Sequence, residues 1–258
     1  MYHIHRPSVL AMWQGIADHL CAAGVPDVPT ALIWPDDMAS HWLAPELLLS
    51  QACGFPLVTI LDQRVQVVGA FHYEAPGCDG VLNRSQLVVR ADDPARTLDD
   101  LRGRRVAING TDSQSGYNSL RALLAPLVHG GRFFSATHVS GAHHLSVLAV
   151  RDGLADVASI DCVSLAGFQK HRPDITAGTR VLAQSAAYPG LPLITAAATP
   201  PDTMSALRDA LTWVTRAPAM AQVREDLFIR KFEPLTLADY QACRDMRAAA
   251  DKAGVVIA

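Results

Sequence analysis

Three apolar residues, Val106-Ala107-Ile108, run straight into the polar stretch Asn109-Gly110-Thr111-Asp112-Ser113-Gln114-Ser115-Gly116. Beyond it Tyr117, Leu120, Leu124 and Leu127 recur at helical spacing. A buried strand, a hydroxyl-rich turn and an amphipathic helix in that order make a strand–turn–helix unit, because the apolar period changes from continuous to 3.6 across the turn. The order then repeats. Residues 136–139 read as a strand, Ser140-Gly141-Ala142 as a turn, 143–151 as a helix with Leu145, Leu148 and Ala149 apolar, and 156–160 as a strand ending in Asp161-Cys162. Such alternation requires an α/β architecture with parallel strands. Ligands of these sheets sit outside the carboxyl ends of the strands, which puts residues 109–116, 140–144 and Asp161 on one edge.

The turn at 113–116 has the chemistry of an anion trap. The first turn of a helix leaves N–H groups without intrahelical partners, the helix dipole adds partial positive charge, and serine hydroxyls donate beside the amides. Gly116 adds no side chain, so a ligand can approach the backbone closely. On this stretch alone a plainer role fits as well, with Ser113 or Ser115 acting as an N-cap.

With 258 residues, half of them hydrophobic and 18% charged, the chain has ample material for one large domain or two lobes. A net charge of -3 gives no electrostatic footprint for nucleic acid or an anionic membrane, so an anionic ligand would be held locally. No stretch approaches the roughly 20 apolar residues of a bilayer span. The start, Met1-Tyr2-His3-Ile4-His5-Arg6-Pro7, lacks the order of a secretory signal, which leaves a cytoplasmic chain or one that starts after a processed segment. Cys21, Cys53, Cys78, Cys162 and Cys243 are odd in number, scattered and without a C-x-x-C pair, so free thiols are expected and no metal site is indicated.

Taken in order, 7–23 is expected to be a helix with Val9, Leu10, Trp13, Ile16 and Leu20 on one face, and 31–34 a short strand. A helical piece follows through Trp42, then a strand at 47–49 that breaks at Ser50-Gln51-Ala52-Cys53-Gly54-Phe55-Pro56. Strands are expected at 57–61, 65–71 and 86–90, and a short capped helix at 97–103. After extended runs at 180–183 and 193–198, helices are expected at 201–215, 220–231 and 237–253.

The run Leu98-Asp99-Asp100-Leu101-Arg102-Gly103-Arg104-Arg105-Val106-Ala107, then Ser113-Gln114-Ser115-Gly116-Tyr117, then Gly141-Ala142-His143 with Ser146, and then Ala155-Asp156-Val157-Ala158-Ser159-Ile160-Asp161, resembles the phosphate/phosphite/phosphonate substrate-binding proteins of ABC transporters. Residues 48–56 and the Tyr73-Glu74-Ala75-Pro76-Gly77-Cys78 loop look like a branch of that family whose members often carry no export signal. The resemblance implies a type II periplasmic-binding-protein fold, α/β with a mixed, mostly parallel sheet in each of two lobes and a ligand cleft between them. One lobe would take residues 1–86 and 187–258, the other 87–186. Ser113, Gln114, Ser115, Gly116 and Tyr117 would hold the oxyanion, His143 and Asp161 would complete that side, and Tyr73 or Tyr2 would enclose it from the other lobe. Gln51, with its amide at a strand end, is a further candidate contact. Where the family commonly has an acidic residue after its histidine this chain has His144, and the family begins with a complete strand ahead of the position of Met1-Tyr2.

The function expected is capture of a small oxyanion by hinge closure, without catalysis and without a cofactor. Partners would be the ligand and an ABC permease, with neither nucleic acid nor membrane insertion, and the chain would be a monomer or weak dimer. Two alternatives stand beside it. One is a cytoplasmic binder or sensor of an organic anion; the other is an enzyme on the same scaffold, using Cys53 or Cys162 with His143 or His144.

Overall fold

In the computed structural model, apolar side chains alternate along the strand Arg105–Ile108: Val106 and Ile108 enter one core, Ala107 the other. Leu87 and Val89 oppose Val88 across the strand Ser85–Arg90, and Val157 opposes Ala158 and Ile160 in the same way. A sheet that is apolar on both faces must be covered on both. One face is packed by Leu120 and Leu124 of the helix Ser119–Leu124, the other by Val147 and Val150 of His143–Arg151 and by Leu165 and Phe168 of Cys162–His171. The structure describes residues 4–128 and 131–257.

The chain divides into two compact units. The second, formed by Ala75–Cys78, Leu82–Tyr188 and Gln241–Ala258, holds this five-stranded sheet. Its strand order is Ala136–Val139, Arg105–Ile108, Val157–Asp161, Ser85–Arg90, Thr179–Gln184. Arg105–Ile108 pairs parallel with both of its neighbours, whereas Ser85–Arg90 is antiparallel to both of its own. Val157–Asp161 and Thr179–Gln184 thus run parallel to each other, with Ser85–Arg90 inserted between them. Its register sets Ser85 opposite Asp161.

The first unit comprises Met1–Glu74, Asp79–Val81 and Pro189–Tyr240. Its sheet runs Ser50–Gln51, Leu193–Ala196, Val65–Tyr73, Ile229–Glu233, and each of these pairings is antiparallel. The mostly parallel sheet expected in this lobe is therefore replaced by an interleaved one. Leu193–Ala196 and Ile229–Glu233, joined through the helices Pro201–Val214 and Ala221–Asp226, do share a direction, but Val65–Tyr73 lies between them. The helix Arg6–Ala22 packs on Pro201–Val214 and buries Val9, Met12, Trp13, Ile16 and Leu20.

Several local expectations change for physical reasons. Residues 31–34 form no strand, and Ile33 is largely exposed while Trp34 stacks under the Arg6 guanidinium. Residues 57–61 turn rather than extend, because the helix Gly54–Leu57 runs into a bend in which the Thr59 hydroxyl donates to the Phe55 carbonyl. The helix expected over 220–231 stops at Asp226; Phe228 takes a positive φ of 59° and Ile229–Glu233 continues as a strand on Val65–Tyr73. The terminal helix Gln241–Lys252, expected with the first lobe, packs on Ser119–Leu124 of the second unit through Cys243, Met246 and Ala250.

Candidate functional site

The strand Arg105–Ile108 ends against a helix that opens as a π turn, Gln114–Asn118, before becoming regular at Ser119–Leu124. Asn118 N donates to Ser113 O at 2.9 Å, a five-residue reach that widens the first turn. Ser113 is the N-cap: its Oγ accepts from Gly116 N at 2.9 Å. Gly116 is required here for space. A Cβ on it would overlap the Asn109 side-chain carbonyl, because the turn folds back tightly over the end of the strand.

A second layer fixes the turn from below. The Ser115 carbonyl accepts from Ser159 Oγ at 2.6 Å and from Ser119 Oγ at 3.0 Å. Ser119 Oγ also contacts Ser85 Oγ at 2.6 Å, which in turn lies 2.8 Å from Tyr188 OH. From the far side, Asn118 Nδ2 donates to the Cys243 carbonyl at 2.9 Å and to Gln114 Oε1 at 2.9 Å, and Gln114 Nε2 reaches Met246 Sδ at 3.3 Å. Sequence reasoning missed this layer. Its signal was faint: two serines, Ser85 and Ser159, in mostly apolar strands.

The other strand ends arrive at the same place. The helix His143–Arg151 begins after Ser140-Gly141-Ala142, and Ser140 Oγ ties that turn to Ser146 Oγ at 2.7 Å. His143 Nε2 lies 2.9 Å from Ser115 Oγ, and Ser115 Oγ lies 3.5 Å from Ser113 Oγ. His143 Nδ1 is buried with no hydrogen-bond partner among the described residues. Burial, with the neighbouring His144 second, lowers His143 to about 4, so its imidazole is neutral near pH 7. Asp161 caps the helix Cys162–His171, its Oδ1 accepting from Ser164 N at 2.8 Å.

Ser113, Ser115, Gly116 and His143 are therefore brought together, and Asp161 ends the neighbouring strand. The Gln114 amide is anchored to the terminal helix, and the Tyr117 ring packs on the core with the Arg121 guanidinium 5.3 Å from its centroid. Gln51 and Tyr73 belong to the first unit, where Gln51 Nε2 donates to Tyr73 OH at 3.1 Å. Tyr2 lies outside the described residues. Within the second unit, among the described residues, Cys162 Sγ lies 3.5 Å from Cys78 Sγ, His143 engages Ser115, and His144 is exposed with its ring edge-on to Phe168, so no thiol–imidazole dyad is assembled there.

The family of phosphonate periplasmic substrate-binding proteins of ABC transporters matches residues 9–240, and the chain belongs to it. It is a solute-binding protein, of a family that binds and does not transform its solute and that serves an ABC permease. No curated protein matches the sequence at a significant level. Among solved structures, PhnD1 from Prochlorococcus marinus in complex with methylphosphonate is similar at 13% identity and a TM-score of 0.76, over 96% of this chain and 95% of that one. A binding-protein component of a phosphonate ABC transporter from Pseudomonas aeruginosa is similar at 18% identity and a TM-score of 0.74, over 94% and 82%. XAC2383 from Xanthomonas citri bound to ATP is similar at 17% identity and a TM-score of 0.69, over 94% and 93%. At these identities the likeness establishes the fold, a two-unit mixed α/β arrangement of the periplasmic-binding-protein kind.

Proposed function

We propose that the second unit captures a small tetrahedral oxyanion of the phosphonate, phosphite or phosphate type, held at the Ser113–Gly116 turn with His143, for delivery to a permease. The observation that carries this reading is the meeting of Ser115 Oγ and His143 Nε2 at 2.9 Å over the N-terminal end of a helix. An oxyanion stripped of water must recover its hydrogen bonds from donors already in place. With the imidazole neutral and its proton on Nε2, His143 donates to Ser115 Oγ, and the serine's own hydrogen is left to point at the ligand. The helix dipole supplies a compensating field. Methylphosphonate in PhnD1 from Prochlorococcus marinus supports the ligand class.

Isothermal titration calorimetry with methylphosphonate, phosphite, phosphate, sulfate and ATP tests this. Binding of at least one phosphorus oxyanion is expected. Ser115→Ala should weaken it at least about tenfold, the usual cost of losing a hydrogen bond to a charged group. An affinity unchanged in Ser115→Ala would remove the proposed site. Binding of ATP alone would replace the small oxyanion with a larger organic phosphate.

A further inference from the structure

The corner beside this site holds two thiols that the binding role does not use. Cys162 is the first residue of the helix Cys162–His171, directly after Asp161, and is fully buried. Cys78 is half-buried on the 75–78 loop, and the two sulfurs lie 3.5 Å apart although 84 positions separate them in the chain. The loop is held against the corner by more than this contact. Gln86 Nε2 donates to the Pro76 carbonyl at 2.5 Å, and a Cβ built on Gly77 would stand 3.0 Å from the Cys162 Cβ and 2.9 Å from Gln86 Nε2. Gly77 also takes φ of 101°, which only glycine adopts readily.

We propose that Cys78 and Cys162 are a dithiol modification site that closes to a disulfide under a disulfide oxidant of the glutathione class. A disulfide needs sulfurs about 2.0 Å apart, so the pair must close by roughly 1.5 Å, a distance that side-chain rotation at the half-exposed Cys78 supplies. Cys78 meets the oxidant first, since it is the accessible partner. Its thiolate attacks one sulfur of oxidised glutathione, forms the mixed disulfide and releases one glutathione thiolate. The Cys162 sulfur then attacks the Cys78 sulfur, its proton passing to the second departing glutathione thiolate. The two cysteines together lose two electrons and two protons, and one oxidised glutathione becomes two reduced. The product fastens the 75–78 loop to the end of the strand that carries Asp161.

The whole chain, reduced and desalted, should titrate as five thiols in denaturant; after incubation with oxidised glutathione under native conditions it should titrate as three. Tryptic digestion without reduction should then yield the peptide 65–84 joined to the peptide 152–170, each of which contains one cysteine. The oxidised protein should melt at a higher temperature, and dithiothreitol should reverse the shift. Cys78→Ser, a change at a half-exposed position, should keep its four thiols under the same oxidant. A glutathione adduct on Cys78 that never resolves, a linkage joining other cysteines, or an unchanged count of five would each overturn the proposal. All of these readouts are independent of any ligand, so they stand or fall apart from the oxyanion reading.

Discussion

Two buried polar clusters, one in each unit, are built on opposite plans. In the second unit Ser113, Ser115 and His143 stand at the carboxyl ends of parallel strands, and their turn is braced from behind through the Ser115 carbonyl and the Asn118 amide, although His143 Nδ1 is buried without a partner among the described residues. In the first unit Gln51 and Tyr73 are paired across an antiparallel sheet, and Gln51 Oε1 is buried without a partner among the described residues. A cluster with a supporting layer holds its donors in place before a ligand arrives, which is where preorganised binding energy comes from. Substitutions should therefore disturb the serine turn in stability and affinity together, and the glutamine–tyrosine pair far less in stability.

The largest effect is expected from glycines that have no room for a side chain. In the second unit a Cβ on Gly116 would overlap the Asn109 carbonyl oxygen; in the first, one on Gly69 would overlap the Glu233 carbonyl and the Phe232 ring. Gly116→Ala and Gly69→Ala should each destabilise by about 3 kcal/mol or more, the upper range for overpacking. Chemical denaturation measures this. Only Gly116→Ala should also abolish oxyanion binding under conditions where the variant stays folded. Equal loss of binding in both would erase the distinction between the two clusters.

A middle effect belongs to His143. Its folded value of about 4 lies below the ordinary 6.5, so on acidification the unfolded chain takes up a proton that the native state refuses. Stability is unaffected by this residue above pH 6.5, falls as pH drops from 6.5 towards 4, and falls no further on its account below that. The full loss is on the order of 3 kcal/mol. Urea denaturation at pH 7 and pH 4.5, compared between the wild type and His143→Gln, isolates it. A wild type that loses no more stability than the variant would mean that the ring is solvated, and the supported corner would lose its dry character.

The second unit was far more legible in the sequence than the first. Strand, turn and helix follow one another locally from 105 to 161, and the apolar runs mark them; the helix at 143–151 starts and ends where spacing alone put it. Ser113 and Ser115 stood out because a hydroxyl-rich turn before an amphipathic helix carries a local meaning. What escaped notice depends on partners distant in the chain. That Gln114 turns to Met246 cannot be read without knowing where the last helix docks. The strand Ile229–Glu233 has a helix-like sequence and extends because Val65–Tyr73 lies beside it. Interleaving of antiparallel strands into otherwise parallel crossovers is likewise invisible to local pattern, since each crossover still reads as strand, helix, strand.

The smallest effect is expected at Gln51, and it probes the other side of the comparison. Gln51→Leu removes the bond from Gln51 Nε2 to Tyr73 OH, which is worth about 1 kcal/mol, but it also removes the Oε1 that is buried without a partner. Leucine keeps most of the volume, so no large cavity forms. The two contributions oppose each other, and stability should change by less than about 1 kcal/mol in a denaturant titration at pH 7. A loss of 2 kcal/mol or more would show that Gln51 is part of a supported network after all, and the contrast between the two clusters would then rest on His143 and the serine turn alone.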